Sequence, residues 1–261
     1  MTAPALVRFD DSEAYERFMG PWSRAVAPTF IEWLAVSDGM HWLDVGCGTG
    51  ILTNVVLGSM NPKAVQAIDV AASQVTRAAQ HLRGARFFIA EAEALPFRDN
   101  TFDVVASALV INFLRDRDAA VREMHRVTRD CGVVAGFVWN FADERSPSWP
   151  MRRALRMVGV QVPELPGTAA SETDALEALF EAAGLKAICT RDFEVSMSYR
   201  TFDDYWVAQT PSYSPVTRTI YAMSEQEREK LKHALRSVLD VRNGEPFAYS
   251  VQANAIKAMA A

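Results

Sequence analysis

The fold is decided by the stretch LDVGCGTG, residues 43–50, which joins a short apolar segment to a second apolar segment with helical periodicity. Glycine adopts positive φ without steric cost and lets a ligand approach the main chain closely. The unpaired N–H groups at the start of a helix also favour anionic groups such as carboxylates. The stretch therefore predicts a strand, a ligand-binding turn and a helix, with the ligand at the carboxyl end of the strand.

Apolar segments along the chain alternate between strand-like and helix-like patterns. Strands are predicted at 41–45, 65–70, 87–89, 102–107 and 133–139, and then at 185–195 and 247–253. Helices are predicted among the first five strands at 51–57, 71–82 and 117–128. Strands that alternate with helices form a mostly parallel sheet that is covered on both faces. The pattern predicts a Rossmann-like, doubly wound α/β fold with a mostly parallel seven-stranded sheet.

The whole chain, 1–261, is interpreted as a single domain with three parts. Residues 1–37 are predicted to form an N-terminal helical cap, in which Gly20 and Pro21 break the helical pattern. Residues 38–140 form the predicted ligand-binding core. Residues 141–261 contain a partly helical, proline-rich insertion on the substrate side and the segments that complete the sheet. Within this last part, Ser171 and Asp174 resemble a capping box, which predicts a helix that starts at Ser171.

Composition and charge argue against several classes of protein. The net charge is −5 and the basic residues are scattered, whereas binding to duplex nucleic acid needs clustered Lys and Arg, so no nucleic-acid partner is expected. The three cysteines form no CxxC pair, so neither a disulfide scaffold nor a metal site is expected. No stretch approaches about 18 unbroken apolar residues and the N-terminus is acidic, so no membrane span or signal peptide is expected. We expect a cytoplasmic monomer or homodimer.

The spacing of the glycines distinguishes between two classes of ligand. Dinucleotide-binding enzymes use GxGxxG at this turn, whereas the glycines here follow GxGxG and Ile51 stands where the third dinucleotide glycine would lie. Asp69 ends the second predicted strand, 19 positions after Gly50. A carboxylate at about this distance, roughly 20 residues, accepts hydrogen bonds from ribose hydroxyls. The residues favour a nucleoside-containing ligand and weaken an NAD interpretation.

Four motifs in series resemble one family. They are LDVGCGTG (43–50), AIDV (67–70), EAEALPFRDNTFDVVASALVINF (91–113) and REMHRVTRDCGVVAGFVWN (122–140). In order and spacing they resemble the class I S-adenosylmethionine-dependent methyltransferases, and most of all the small-molecule branch that includes the ubiquinone/menaquinone and biotin-pathway methyltransferases. The resemblance is strong over about 38–140 and weaker elsewhere. One departure is Arg129-Asp130-Cys131-Gly132, where the family commonly has Lys/Arg-Pro-Gly-Gly.

The resemblance implies S-adenosylmethionine as the cofactor and S-adenosylhomocysteine as the product. It implies that Asp44 orients the glycine loop and contacts the methionine end of the cofactor. It also implies that four residues of the loop pass close to that end, namely Gly46, Cys47, Gly48 and Gly50.

The resemblance also implies residues for the adenosine end of the cofactor. Asp69 is expected to hold the ribose and Val70 to pack on the adenine. Glu91 stands where the family has an acidic residue that accepts from the adenine amino group, and Ala92 would present its backbone N–H to the ring. After the fourth strand, backbone contacts to the cofactor are implied for Ser107 and Ala108.

In the resembling family, the leading segment closes over the cofactor. The cap residues predicted to contact it are Tyr15, Met19, Trp22 and Arg24. Aromatic rings there would stabilise the sulfonium through cation–π attraction, and Arg24 would pair with the cofactor carboxylate. The acceptor pocket is predicted to involve Leu109, Asn112, Trp139 and Asn140. Because Asn112 stands where many relatives carry histidine, no catalytic residue is assigned.

The sequence predicts in-line transfer of a methyl group from the sulfonium to an O, N or C nucleophile of a small molecule. Two alternatives stay open at this point. One is a catalytically inactive protein that only binds S-adenosylmethionine, and the other is an NAD-dependent enzyme.

Overall fold

The computed structural model describes residues 16–211, 214–242 and 244–261 of the chain. Its seven-stranded sheet has the order β3-β2-β1-β4-β5-β7-β6. The strands are β1 (His41–Val45), β2 (Ala64–Asp69), β3 (Ala85–Ile89), β4 (Phe102–Ala108), β5 (Thr128–Trp139), β6 (Lys186–Tyr199) and β7 (Phe247–Met259). β1 to β5 pair in parallel, and β7 runs antiparallel to both β5 and β6. The predicted mostly parallel seven-stranded sheet is confirmed.

Helices cover both faces of this sheet. They are α1 (Gly20–Leu34), α2 (Ile51–Ser59), α3 (Ala72–His81), α4 (Arg117–Val127), α5 (Trp149–Met157), α6 (Thr173–Ala182), α7 (Phe202–Gln209), α8 (Pro215–Ala222) and α9 (Glu225–Val238). Short 3₁₀ helices form at Ile111–Phe113 and Ala169–Ser171. One hydrophobic core contains side chains of α1, α2, α5, α7 and α9, and the other contains side chains of α4 and α6.

The alternation of side chains along β1 explains how one strand serves both cores. Trp42 packs into the core beneath α1 and α2, whereas Leu43 and Val45 pack into the core beneath α4 and α6. Asp44 points to the same face as Trp42, where it meets α2 through a hydrogen bond to Thr53. A buried carboxylate is therefore placed at the end of the first strand, next to the glycine loop.

The helical break that the sequence predicts near Gly20 occurs one residue earlier. Residues 16–18 are helical, Met19 is a turn, and α1 begins at Gly20 with Pro21 in its first turn. The Nζ of Lys257 on β7 donates to the carbonyl oxygens of Trp33 (2.7 Å) and Leu34 (3.3 Å). This contact satisfies carbonyls at the end of α1 and ties the helix to the sheet.

Two expectations for the second half of the chain need correction. The helix predicted to start at Ser171 begins at Thr173, and Ser171 forms no capping box. Its hydroxyl instead donates to the carbonyl of Thr168 (2.6 Å) and accepts from the N–H of Phe141 (3.1 Å). The strands β6 and β7 also continue beyond the predicted ends, to Tyr199 and Met259, because they pair with each other along their length.

Candidate cofactor site

The three glycines of the loop after β1 all adopt positive φ. The angles are +76° at Gly46, +53° at Gly48 and +87° at Gly50. A Cβ on Gly46 would lie 2.5 Å from Cγ2 of Val110, so this position also lacks space for a side chain. The N–H groups of Gly46 and Cys47 both donate to the carbonyl of Ile68 at 2.8 Å. The loop is therefore fixed to the end of β2 and exposes its backbone where a ligand approaches.

Asp44 lies beneath this loop with only 3% of its surface exposed. Its Oδ2 accepts from the N–H (3.1 Å) and the hydroxyl (2.6 Å) of Thr53. Its Oδ1 is buried and has no hydrogen-bond partner in the described part of the chain. Burial raises the pKa of Asp44 to about 7, with a smaller contribution from the charge of Asp69, while both Thr53 hydrogen bonds act in the opposite direction. One buried carboxylate oxygen is thus available to a donor of a ligand.

Asp69, at the end of β2, faces the same loop. Its Oδ2 accepts from the N–H of Gly48 (2.9 Å) and its Oδ1 from the N–H of Ala71 (2.8 Å). Each carboxylate oxygen has a second lone pair, so both remain able to accept from hydroxyl groups. The side chains of Val70 and Ile89 beside it are 63% and 62% exposed. The edge of β2 and β3 therefore presents a carboxylate next to an uncovered apolar surface.

A small cavity of about 40 Å³ adjoins the glycine loop. Ser23 and Ala27 of α1 form one side of it, and the other side lies at the ends of β4 and β5. Its lining residues also include the loop and strand residues Asp44, Gly46, Cys47, Gly48, Ala108, Leu109 and Phe137. The carboxylate of Glu16 accepts a hydrogen bond from the hydroxyl of Thr49 and forms an ion pair with Arg24 at 2.7 Å. The cap segment therefore lies directly on the glycine loop.

The loop between β3 and β4, which contains Glu91 and Ala92, is held by Arg126 of α4. The guanidinium binds both oxygens of Glu123 (2.6 and 2.7 Å) and donates to the carbonyls of Phe97 (2.9 Å) and Leu95 (3.1 Å). The hydrogen bonds from Arg126 lower the pKa of Glu123. Glu91 is exposed and Ala92 is buried. Arg126 thus positions the segment to which the sequence assigns the adenine contacts.

We expect the substitution Arg126→Ala to lower the free energy of unfolding by about 1–3 kcal/mol, because the partly buried Glu123 carboxylate and two carbonyls lose the hydrogen bonds that Arg126 donates. Arg122→Ala is the matched control, since Arg122 is exposed on the same helix. Urea unfolding monitored by circular dichroism measures both. Equal stability of the two variants would contradict the role of Arg126.

The pairing of Glu123 with Arg126 should also make stability depend on pH. Because the fold lowers the pKa of Glu123, the stabilisation from this pairing is present at neutral pH and is lost as the pH falls through that pKa.

The predicted cap residues occupy different positions. Tyr15 lies outside the described residues. Met19 is partly buried against the core, and Arg24 is exposed and paired with Glu16. Trp22 is fully buried, with its ring centroid 4.9 Å from that of Tyr249 and 6.5 Å from that of Trp139. Trp22 therefore packs in an aromatic cluster and does not line the cavity at the glycine loop.

Of the residues predicted after β4 and β5, some line the cavity and others are held elsewhere in the fold. Leu109 lines the cavity, and its N–H donates to the carbonyl of Phe137 at 2.7 Å. The hydroxyl of Ser107 donates to the carbonyl of Val45 (2.9 Å), so this side chain connects β4 to β1. Trp139 is 2% exposed within the aromatic cluster, and Asn140 exchanges hydrogen bonds with Asp143.

Asn112 is 1% exposed, and neither of its side-chain polar atoms has a hydrogen-bond partner among the described residues. The backbone of Gly167 packs against it so closely that a Cβ there would lie 2.0 Å from the carbonyl oxygen of Asn112. The amide therefore has unused hydrogen-bonding capacity at the end of β4.

The site contains contacts that the sequence did not reveal. Thr53, Ser23 and Ala27 gave no signal, because a helical residue one turn away from a motif looks like any other core residue. Burial raises the pKa of the Cys47 thiol far above its ordinary value, which keeps it neutral and argues against a nucleophile. Within the described ranges, no group of three or more His, Cys, Asp and Glu side chains is arranged to hold a metal ion.

Residues 43–136 match the family model described as "Methyltransferase domain". Over these residues the chain is therefore similar to methyltransferase domains. The matched segment runs from Leu43 in β1 to Gly136 in β5, and thus includes Asp44, Asp69 and the loop held by Arg126.

Curated relatives that match the chain are named as methyltransferases with different acceptors. The chain is 38% identical over 95 residues to a malonyl-[acyl-carrier protein] O-methyltransferase of Halorhodospira halophila, covering 35% of this chain and 32% of that one. It is 31% identical over 160 residues to a ubiquinone/menaquinone biosynthesis C-methyltransferase of Shewanella frigidimarina, covering 58% of this chain and 62% of that one. The matches thus span between about a third and three fifths of these relatives.

A solved structure resembles the chain outside the matched segment as well. The phosphoethanolamine N-methyltransferase 2 of Haemonchus contortus, in complex with S-adenosyl-L-methionine, aligns with a TM-score of 0.57 and 16% identity over 95% of this chain and 56% of that one. At this identity, the likeness shows the fold. No helix in the described part of the chain is long and apolar enough to cross a membrane.

Proposed function

We propose that the protein is an S-adenosylmethionine-dependent methyltransferase that acts on a small-molecule acceptor. The observation that carries this proposal is the unpartnered Oδ1 of Asp44 beside a loop of positive-φ glycines. A buried carboxylate oxygen without a donor is costly, and the ammonium group of a methionine moiety is a donor of matching charge. The residues present therefore fit this cofactor.

The remaining cofactor contacts follow from the same edge of the sheet. Asp69 would accept from the ribose hydroxyls, because its Oδ2 bonds the glycine loop at Gly48, its Oδ1 bonds Ala71, and each oxygen retains a lone pair. Val70 would cover one face of the adenine, since its side chain is 63% exposed. Glu91 and Ala92 would approach the rim of the adenine ring. The backbone of Ala108 would complete the methionine end, where that residue lines the cavity.

Entry of the methionine end of the cofactor requires the cap to move. The cavity at the glycine loop measures about 40 Å³, which holds only a few water molecules. Glu16 accepts a hydrogen bond from Thr49 of the loop, and Ser23 forms part of the cavity wall, so residues 16–19 and α1 lie over this space. We expect these contacts to separate when the cofactor enters, whereas the glycine loop stays fixed to β2.

The protein would promote methyl transfer by aligning the acceptor with the sulfonium and by excluding water, and no residue is assigned as a general acid or base. S-adenosylmethionine supplies a methyl group on a sulfonium, and the neutral thioether left behind is a good leaving group. Holding the acceptor in line is worth up to about 7–11 kcal/mol through effective molarity. Leu109 and Asn112, at the end of β4, are proposed to border the acceptor, whether its nucleophile is O, N or C. We also propose a cytoplasmic monomer or homodimer with no nucleic-acid partner.

Calorimetry with S-adenosylmethionine, S-adenosylhomocysteine and NAD, followed by incubation with methyl-labelled cofactor and a metabolite extract, tests the proposal. We expect both sulfur nucleosides to bind and NAD not to bind, and we expect a labelled small product. Binding of NAD alone would overturn the proposal. Binding of the sulfur nucleosides without any labelled product across extracts would identify the inactive binding protein instead.

A further inference from the structure

A second cavity, of about 240 Å³, lies under the segment that follows β5. It is bounded by residues 141–146, by α5 and by residues 162–168. The ring of Phe141 in its wall lies 5.8 Å from the ring of Phe113, which belongs to the 3₁₀ helix after β4. The cavity therefore adjoins the carboxyl ends of β4 and β5, the same edge of the sheet as the cofactor site. The two cavities share no lining residue.

Two arginines one turn apart on α5, Arg152 and Arg156, line this cavity. Arg156 forms an ion pair with Glu144 at 2.5 Å near the solvent, where their side chains are 41% and 50% exposed. Arg152 is half-buried and donates from Nη2 to the carbonyl of Pro163 at 2.6 Å. Within the ranges that the structure describes, Arg152 forms no ion pair, although Glu164 also lines the cavity. Arg152 therefore has N–H donors available in the cavity.

The charge of Arg152 is poorly compensated. Burial, followed by repulsion from Arg156, lowers the pKa of Arg152, and this exceeds the opposing attraction of Glu144 and Glu164. An oxyanion next to the guanidinium would offset both unfavourable effects. The planar fork of arginine also matches the oxygens of a carboxylate or phosphate.

The rest of the cavity wall indicates the other half of the ligand. Phe141, Val162 and Leu165 provide apolar surface on the same cavity. An apolar cavity of about 150 Å³ is sufficient for benzene, so a cavity of about 240 Å³ accommodates a somewhat larger body that carries an acidic group. The walls thus fit an amphipathic small acid.

We propose that this cavity binds the acidic group of the methyl acceptor through the guanidinium of Arg152, while the apolar part of the acceptor packs on Phe141, Val162 and Leu165. This inference rests on the proposed methyltransferase function. Because the cavity shares no lining residue with the cofactor site, the acidic group anchors the acceptor and is not the group that receives the methyl.

The test compares the full-length protein with Arg152→Ala and with Arg153→Ala, a control at an exposed position of the same helix. The probes are benzoate, phenyl phosphate and the neutral benzyl alcohol, titrated by ligand-observed NMR. We expect at least one acid to bind more tightly than benzyl alcohol. We expect Arg152→Ala to weaken binding of that acid at least about tenfold, because the acid loses its charge-assisted hydrogen bonds, and we expect Arg153→Ala to leave its affinity unchanged. Whichever acid binds identifies carboxylate or phosphate as the anchor.

Equal affinity of both acids and the alcohol for the wild-type protein, or equal affinity of the acid for Arg152→Ala and Arg153→Ala, would overturn the inference. S-adenosylhomocysteine is titrated into all three proteins and should bind them alike. Failure of the wild-type protein to bind it would remove the proposed function, whereas the probe titrations report on the Arg152 cavity separately. In the labelled-extract assay, Arg152→Ala should give less than about a tenth of the product of Arg153→Ala, and equal yields would contradict the anchor.

Discussion

Asp69→Ala is expected to weaken binding of S-adenosylhomocysteine at least tenfold, about 1.4 kcal/mol. Two effects contribute. The ribose hydroxyls lose a charged acceptor, and the N–H groups of Gly48 and Ala71 lose the carboxylate that now accepts from them at 2.9 and 2.8 Å. Calorimetry at neutral pH measures the affinity. Unchanged affinity would refute the ribose role and, with it, the orientation of the nucleoside along β2 and β3.

Two controls separate the loss of a ligand contact from a loss of fold. Asp38→Ala removes another carboxylate that accepts from a backbone N–H, that of Asn61 at 3.2 Å, at the opposite end of β1. It should leave the affinity unchanged. Asp69→Asn retains an oxygen that can accept from one loop N–H. It should therefore leave the temperature of thermal unfolding unchanged while still weakening the binding of the nucleoside. A large loss of thermal stability in Asp69→Asn would show that the carboxylate mainly holds the loop.

The sequence was sufficient to predict the mostly parallel sheet and the glycine turn at the end of β1, because both depend on local patterns. The short apolar segment before the glycines placed β1, and the GxGxG spacing placed the turn in which all three glycines adopt positive φ. Asp69 was singled out because it ends the next predicted strand, 19 positions after Gly50 of that turn. These signals are local in sequence, and the strands that carry them are central in the sheet.

The details that the sequence missed depend on packing between distant segments. Trp22 was expected at the cofactor, but its ring packs against Trp139 of β5 and Tyr249 of β7, an arrangement that no local pattern describes. The Ser-x-x-acid pattern at Ser171 did not form a cap, whereas the same pattern at Ser224 and Glu227 forms a complete capping box. The arginine of the second cavity, Arg152, gave no signal either, because its exposure depends on how residues 158–168 fold over α5.

The cofactor-free protein should become more stable when Asp44 is replaced by asparagine, and this gain should grow with pH. The fold raises the pKa of Asp44 from an ordinary 3.8 to about 7, so the folded state retains a proton that the unfolded state has lost. The stabilising contribution of the protonated carboxyl is therefore complete below about pH 3.8 and is lost as the pH rises through 7. Asparagine keeps an oxygen for the two Thr53 donors and carries no charge, so it avoids this loss. Urea unfolding at pH 5 and pH 8 should show a gain of at least about 1 kcal/mol at the higher pH.

The same substitution should impair cofactor binding, because an ammonium group needs the ionised carboxylate. For the wild-type protein, the affinity for S-adenosylhomocysteine should rise as the pH increases through about 7, since binding then no longer requires Asp44 to release a proton. For Asp44→Asn, we expect an affinity at least about tenfold lower at pH 8 and little dependence on pH between 6 and 8. A gain in stability together with a loss of affinity indicates a residue whose charge serves the ligand at the expense of the fold. If wild-type and variant protein instead show parallel profiles of stability and affinity across this range, the carboxylate is ionised without the cofactor and its free oxygen is not the ammonium site.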